Sequence, residues 1–333
     1  MASSEEKRKL LIIDTDCGVD DAEAIIFAFS RHREWQILGI SCMQGNTSLD
    51  NVVGNVFRVL QVCGKVDNKI PVLRGSERSV TGAVIHAAAH VHGNDGLGGV
   101  AHEYPVNPSL TPLPEDAVSW LVRTVCDQYP DQVTLLTLGP LTNVANAADK
   151  NPGFKSKLRR LCVMGGNHTG VGNVHRTRAE FNFHCDPEAA NLVMTQFQCP
   201  IEWITWETCS NHQLPWEWFH QWLSFSNSAK AAFVQKISRL SKLRLSGEDS
   251  ERRNEGMKGY FSCDLWAAAA FLAPSTLPVI EEEKLVRVRV QLEQGAERGM
   301  CLVSSGAEDA KARVKLVTKL NLENLRRLLD DMM

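Results

Sequence analysis

Short apolar runs recur along the first two thirds of the chain, and helical patterns lie between most of them. The apolar runs predict buried strands at residues 10–13, 37–43, 70–73, 133–138, 161–164 and 200–205. Apolar residues at helical spacing predict helices at residues 22–29, 49–62, 117–127 and 187–194. Because strands and helices alternate in this order, the pattern favours a parallel sheet.

The final third of the chain has a different pattern. Its predicted elements are a mainly helical stretch at residues 209–259, an apolar helix at 267–273, antiparallel strands at 286–292, 301–303 and 314–320, and a closing helix at 322–329. We therefore expect an α/β fold with an open, mostly parallel, doubly wound (Rossmann-like) sheet, helices on both faces and a few antiparallel C-terminal strands. Since no repeat or linker interrupts the sequence, residues 1–333 should form a single domain.

Two segments lack clear periodicity. Residues 74–114 form a long, glycine-containing stretch, and such stretches in compact domains are often binding loops. Residues 247–259 form a charged patch that predicts a mobile loop. An aromatic cluster at residues 216–222 predicts core packing or a subunit contact rather than a ligand site.

Composition narrows the class of protein. The chain has 333 residues, 44% of them hydrophobic, and a formal net charge of -3, so we expect a globular protein with neither a nucleic-acid nor a membrane partner. No apolar run approaches the length of a membrane span. The 10 cysteines lack paired spacing, which favours free thiols in a reducing compartment and predicts a cytoplasmic location.

Four carboxylates follow the first predicted strand, at Asp14, Asp16, Asp20 and Asp21. Ligands of open α/β sheets bind at the carboxyl ends of the strands, where these acids should lie. Four crowded negative charges repel one another, and a hard divalent cation with oxygen ligands, calcium or magnesium, would relieve that repulsion. The stretch therefore predicts a metal site with spare carboxylates for substrate or water.

Other interpretations of the acidic stretch fit less well. An EF-hand loop would need Glu at the position that Ile25 occupies, and a DxDxT phosphoryl-transfer loop would need Thr where Gly18 stands. Acids that complement the dipole at a helix N-terminus are common, but that role explains one or two of them and not four.

Several motifs fall in order along nearly the whole chain. They are DTDxGxDD at residues 14–21, a Gly-Asn turn at 45–46, LGPLTN at 138–143, MGG at 164–166, a Gly-Asn pair at 172–173, AEFN followed by DPEAA at 179–190, and a late Asp at 264 before a helix. Together they resemble the nucleoside hydrolases, the calcium-dependent, inosine-uridine-preferring N-ribohydrolases. The resemblance implies hydrolysis of ribonucleosides to ribose and free base, and a homodimer or homotetramer.

The resemblance also assigns roles to residues. It implies calcium ligands at Asp16, Asp21, Asp264 and the backbone carbonyl of Leu138. Asp16 would also be the general base toward the attacking water. The ribose site would comprise Asp20, Asn46, Met164, Asn173, Glu180, Asn182 and Asp264. Considered one at a time, Glu180 would be a surface acid and Asn182 a turn cap, so only their shared motif favours function.

Cys263 departs from the family pattern. Many members carry His at this position, as a candidate acid for the leaving base, others carry Trp, and this chain resembles a subgroup with Cys. Because a neutral thiol donates a proton only weakly, the donor to the leaving base stays open. Other candidate donors are His92, His168 and Tyr260, and Trp206 or Trp266 is a candidate to stack on the base. The base preference also stays open.

Two alternatives to a nucleoside hydrolase remain. A metal-dependent phosphohydrolase would share the acidic cluster, but its motif should contain a cation for phosphate, and residues 14–21 contain neither Lys nor Arg. A non-catalytic nucleoside-binding homologue would fit if Cys263 has cost the chain its activity. Retention of Asp16, Asp21 and Asp264 argues against it, because a binder needs no activated water.

Overall fold

The computed structural model describes residues 8–224, 226–245, 257–306 and 313–333. The described chain contains the strands β1 Lys9–Thr15, β2 Trp35–Cys42, β3 Val72–Arg74, β4 Val133–Thr137, β5 Arg160–Met164, β6 Ile201–Ile204, β7 Leu214–Pro215, β8 Gly259–Tyr260, β9 Ile280–Val290, β10 Cys301–Ser305 and β11 Val314–Leu320. Most of the loop predicted at residues 247–259 lies outside the described residues.

Helices connect these strands. They are α1 Val19–Ser30, α2 Leu49–Val62, α3 Ala89–His92, α4 Ala117–Val122, α5 Thr142–Lys150, α6 Phe154–Lys157, α7 Phe181–Cys185, α8 Pro187–Gln196, α9 Trp206–Asn211, α10 Trp216–Ser224, α11 Ala229–Ile237, α12 Arg239–Leu245, α13 Cys263–Leu272 and α14 Leu322–Asp330. A 3₁₀ turn spans Ala101–Glu103, and a π-helical turn over Arg123–Gln128 continues α4.

Nine strands form one sheet in the order β10-β9-β11-β6-β5-β4-β1-β2-β3. From β6 to β3 all neighbours are parallel. The chain runs outward from β1 to β3 and then returns to β4 on the other side of β1, which makes the doubly wound arrangement that the sequence predicted. The point where the strand order reverses, between β1 and β4, is where such sheets bind ligands.

The C-terminal strands differ in one respect from the prediction. Strand β9 is antiparallel to both β10 and β11, as expected. However, β11 also pairs in parallel with β6 through Val314–Leu316, so it joins the antiparallel part to the parallel sheet. Alternation along a strand reports only which side chains are buried, and it carries no information on the direction of the partner strand.

Hydrophobic layers cover both faces of the sheet. Leu11 and Ile13 of β1 pack with α1, α2 and α13 on one face, whereas Leu10 and Ile12 pack with α4, α5 and α8 on the other. Helix α13 is buried along its whole length, as expected for a helix that is apolar on all sides apart from Asp264 in its first turn. Of the aromatic cluster, Trp218, Phe219 and Trp222 are buried core residues.

Two findings concern the wider class of the protein. Among the described residues, no helix is both long and apolar enough to cross a membrane. All of the cysteines are free, and most of them are buried.

Candidate active site

A cavity of about 740 Å³ opens at the carboxyl edge of the parallel strands. Its lining includes most of the residues that the sequence singled out, namely Asp20, Asn46, Leu138, Met164, Asn173, Glu180, Asn182, Cys263 and Asp264. These residues come from strand ends and helix starts that are far apart in sequence. The order of the strands therefore brings the separate motifs to one place.

Three carboxylates face one another at this cavity. Asp20 and Asp21 lie in the first turn of α1 and Asp264 in the first turn of α13, and one oxygen from each lies within 4.8 Å of the others. The Oδ1 atom of Asp20 is buried without a hydrogen-bond partner. Oxygen donors at this spacing, one of them unsatisfied, suit a hard divalent cation.

Asp16 lies beside this group and is completely buried. Its Oδ2 accepts a hydrogen bond from the backbone N–H of Asn46 at 2.8 Å, and its Oδ1 accepts one from Asn46 Nδ2 at 3.1 Å. The same Nδ2 lies 3.0 Å from Asp21 Oδ2, so Asn46 bridges the two carboxylates. The predicted ligand set thus comprises two members of the compact group, Asp21 and Asp264, with Asp16 held against it.

Two glycines allow the backbone to close around Asp16. A Cβ atom on Gly45 would stand 2.0 Å from Asp16 Oδ2, and one on Gly139 would stand 2.9 Å from the same carboxyl group. These contacts are too short for any other residue without a shift of the backbone or of Asp16. The glycines of the Gly-Asn turn and of LGPLTN therefore serve the packing of this carboxylate.

Burial dominates the electrostatics of the cluster. It raises the pKa of Asp16 well above its ordinary value, and the nearby charge of Asp21 adds to the effect. Burial and the charge of Asp20 raise the pKa of Asp21 to about 6. The pKa of Asp264 is also raised well above normal, first by burial and then by its acidic neighbours. A bound cation would reverse this effect, because it stabilises the ionised forms.

Asp14, the remaining acid of the stretch, has a different position. Its Oδ1 accepts hydrogen bonds from Ser41 Oγ and, at 2.8 Å, from Asn143 Nδ2. It therefore ties β1 to β2 and to the start of α5, beneath the cavity. Burial raises its pKa to about 7.

The carbonyl of Leu138 and the side chain of Asn182 are in direct contact. Asn182 Nδ2 donates to the Leu138 carbonyl oxygen at 2.8 Å and lies 3.5 Å from Met164 Sδ. A carbonyl oxygen has two lone pairs, so this bond leaves one of them for another partner. The structure thus groups the predicted carbonyl ligand with two predicted ribose contacts.

Glu180 is not the surface acid that its position considered alone suggested. It is only 2% exposed and is the N-cap of α7, where its carboxylate accepts from the backbone N–H groups of Asn182, Phe183 and Gly166. Burial raises its pKa to about 7 although these bonds lower it. The turn cap is therefore Glu180 and not Asn182. Asn173 accepts from the Phe181 N–H at 2.8 Å.

Cys263 lines the cavity and is buried. A hydrogen bond with Cys209 and then burial raise the pKa of its thiol well above normal. The side chain at this position is therefore a neutral thiol, which is a weak proton donor.

The other candidate proton donors, His92, His168 and Tyr260, differ in whether they line the cavity. His92 lines the cavity, and its Nδ1 accepts from the backbone N–H of Val19 at 3.1 Å, which places the proton of the neutral ring on Nε2. Burial lowers its pKa. Tyr260 also lines the cavity. His168 does not line it, and the Nδ1 atom of His168 lies 2.7 Å from Thr205 Oγ1. The structure thus removes His168 from the candidates.

The two candidate tryptophans also differ in whether they line the cavity. Trp206 lines the cavity and packs edge-on against Phe261, with ring centroids 5.4 Å apart. Trp266 is fully buried, and its Nε1 donates to the backbone carbonyl of His212. Of these two tryptophans, Trp206 is the one that lines the cavity.

Two acids were missed by the sequence reasoning. Glu207 accepts from the backbone N–H groups of His168 and Thr169 and fixes the loop that leads to Asn173. Burial alone would raise its pKa, but hydrogen bonds, chiefly from His168 and Thr169, outweigh it and lower the pKa to about 2. Glu23 is buried in the cavity wall, one helical turn after Asp20. That i, i+3 spacing on one helix face was the available signal.

The fold and the site together define an α/β protein with an acidic pocket whose oxygen donors suit a divalent cation. The pocket lies where the strand order of the sheet reverses. A family model described as inosine-uridine preferring nucleoside hydrolase matches residues 11–327, and the chain belongs to this family. The resemblance found in the sequence is thereby confirmed. The subgroup with Cys at the position of Cys263 stays a prediction.

Relatives and solved structures agree with this assignment. The chain is 39% identical to the probable uridine nucleosidase 1 of Oryza sativa over 196 residues, 59% of this chain and 58% of the relative. It is 38% identical to a pyrimidine-specific ribonucleoside hydrolase of Escherichia coli over 192 residues, 57% of each chain. These alignments thus span less than two thirds of the relatives' length.

Two solved structures match over almost their full length. A plant nucleoside hydrolase superposes with a TM-score of 0.84 at 26% identity, covering 98% of this chain and 99% of that one. An inosine-guanosine nucleoside hydrolase superposes with the same TM-score and identity, covering 98% of both chains.

Proposed function

We propose that this protein hydrolyses the N-glycosidic bond of ribonucleosides, giving ribose and free base, and that it requires calcium. The observation that carries the proposal is the cluster of Asp16, Asp20, Asp21 and Asp264 at a cavity large enough for a nucleoside. Family membership supports the reaction class. We further propose that the chain is a single domain and forms a cytoplasmic homodimer or homotetramer.

Asp16, Asp21, Asp264 and the carbonyl of Leu138 would hold the cation. When bound, calcium would lower the pKa of a nearby water and neutralise the crowded carboxylates. Asp16 would accept the proton of that water as it attacks the anomeric carbon. Its fixed contacts with Asn46 hold the carboxylate in one orientation, which general-base catalysis requires.

The ribose would be held by acids and amides that line the cavity. They are Asp20, Asn46, Asn173, Glu180, Asn182 and Asp264, together with Met164. Carboxylate and amide oxygens accept hydrogen bonds from hydroxyl groups, and the negative charge of the carboxylates stabilises the oxocarbenium-like transition state. Such contacts would position the sugar and assist cleavage of the bond.

Removal of the 2'-hydroxyl should therefore be costly. We expect kcat/KM for 2'-deoxyuridine and 2'-deoxyinosine to be about a hundredfold or more below the values for uridine and inosine, because buried polar groups lose their partner. Initial rates measured by chromatography of the released base would check this. Comparable rates for both sugars would refute the proposed ribose contacts.

Cys263 should contribute little to departure of the base. Because its thiol is neutral and hydrogen-bonded to Cys209, Cys263→Ala should keep kcat within about fivefold of wild type. Cys209→Ala is the matched control, since it removes the partner thiol outside the cavity. A hundredfold loss of kcat in Cys263→Ala alone would show that the thiol acts on the leaving base.

The reaction is tested by its mass balance. The purified protein should release base and ribose in equal amounts from ribonucleosides in a phosphate-free buffer. Nucleoside 5'-monophosphates should yield no inorganic phosphate. Phosphate release, or a need for phosphate as co-substrate, would overturn the proposal.

A further inference from the structure

One wall of the cavity has no role in the chemistry described above. Glu23, Ser238, Tyr260 and Ser262 line it. Glu23 lies one helical turn beyond Asp20, and Ser262 directly precedes Cys263. If Asp20 contacts the ribose and Cys263 lies beside the leaving base, as the proposed function requires, this wall borders the base.

The hydroxyl groups of this wall converge on Glu23. Tyr260 Oη and Ser262 Oγ each lie 2.7 Å from the same oxygen, Glu23 Oε2. Burial raises the pKa of Glu23 to about 7. The ionised carboxylate has only lone pairs, so both hydroxyl groups donate to it in that form. Each hydroxyl has a single proton. Their oxygen atoms therefore have only lone pairs left for a ligand.

The opposite side of Glu23 is held as well. Ser238 Oγ lies 3.0 Å from Glu23 Oε1 and 2.7 Å from the carbonyl oxygen of Val234. Glu23 is thus contacted by three hydroxyl groups from two separate segments of the chain. Since the carboxylate cannot turn without breaking these bonds, the direction of the Tyr260 and Ser262 hydroxyls is fixed.

Aromatic packing fixes the ring of Tyr260. It stacks on Phe219, with centroids 4.0 Å apart and planes at 25°, and meets Trp266 edge-on at 5.6 Å. A ring held on two sides presents its oxygen at a constant place. The wall is therefore a preorganised pair of hydrogen-bond acceptors.

We propose that Tyr260 and Ser262, oriented by Glu23, recognise a ring N–H group on the base. Uracil and hypoxanthine both carry such a group on their hydrogen-bonding edge, beside a carbonyl. A base methylated at that nitrogen has no proton to donate. The wall would thereby set base specificity, with Glu23 as its positioning residue.

The test compares matched substrates that differ by that proton. We expect kcat/KM to fall about 10- to 100-fold from uridine to 3-methyluridine and from inosine to 1-methylinosine, as expected when buried acceptors lose their donor. In Tyr260→Phe and in Ser262→Ala, kcat/KM for uridine and inosine should fall most of the way to the values for the methylated nucleosides. The kcat/KM of the methylated nucleosides themselves should change little. Tyr129→Phe, which removes a hydroxyl outside the cavity lining, should keep the full discrimination.

Measurements of nucleoside binding test base recognition independently of the proposed hydrolysis. The dissociation constants of the same pairs, measured by calorimetry on Asp16→Asn with calcium present, should differ by a similar factor whether or not the wild-type protein turns them over. Equal affinity for uridine and 3-methyluridine, and for inosine and 1-methylinosine, would overturn the recognition by this wall. A Tyr260→Phe variant that weakens parent and methylated nucleosides alike would also overturn it, since that result indicates a structural role.

Discussion

Asp16→Asn should lower kcat by about a thousandfold or more while the protein stays folded. The amide has the size of the carboxylate, but it cannot accept a proton from water and is a poorer ligand for a cation. Asp16 is fully buried, and Gly45 and Gly139 pack closely against its carboxyl group, so the Asn side chain of equal size should occupy the same space. The loss should therefore be mainly in kcat.

Steady-state kinetics on uridine and inosine would check this expectation. Asp149→Asn is a suitable control, because it makes the same chemical change at an exposed position on α5 and should leave kcat unaltered. The melting temperature of both variants shows whether the fold is intact. Near-normal kcat in folded Asp16→Asn would mean that another group is the general base.

Calcium should raise the thermal stability, and more at about pH 8 than at about pH 5. In the metal-free protein the pKa values of Asp16, Asp21 and Asp264 are raised above those of the unfolded chain. The folded state then holds more protons than the unfolded state, so stability falls as pH rises from about 4 through the folded pKa of Asp21, about 6. Bound calcium offsets this loss because it pairs with the ionised carboxylates.

The size of the effect follows from linkage. At a calcium concentration a hundred times the dissociation constant, stability should rise by about 2.7 kcal/mol. Differential scanning calorimetry with calcium and with a chelator would measure it at both pH values. Asp264→Asn should show a much smaller calcium response than Asp149→Asn. A response that is equal at both pH values, or absent, would argue against a cation at these carboxylates.

The sequence predicted the parallel sheet and the place of the site well. Apolar runs ending in polar turns mark buried strands with functional ends, and that rule placed Asp20 and Asn46 at one edge of the sheet. Asp264, which the family resemblance added, lines the same cavity. The parallel pairing of β11 with β6 was not predictable, because strand direction depends on the path of the chain and not on local pattern.

The sequence also could not predict contacts between side chains that are far apart along the chain. Glu23 contacts hydroxyl groups more than 200 positions away, and its only local signal is its i, i+3 spacing from Asp20 on one face of α1. Glu180 was correctly chosen for the site, yet its burial and N-cap geometry emerged only from the fold. His168 was a candidate because His can donate a proton, and Trp266 because Trp can stack on a base. In the structure neither side chain lines the cavity, since His168 contacts Thr205 and Trp266 donates to the His212 carbonyl.

The most direct test of the account is ribose release from a panel of purine and pyrimidine ribonucleosides with calcium, after chelation, and after calcium is restored. We predict release of ribose and base in equal amounts that stops on chelation and returns with calcium. Release that is unaffected by the chelator, or no release from any nucleoside despite confirmed bound calcium, would contradict a calcium-dependent ribonucleoside hydrolase.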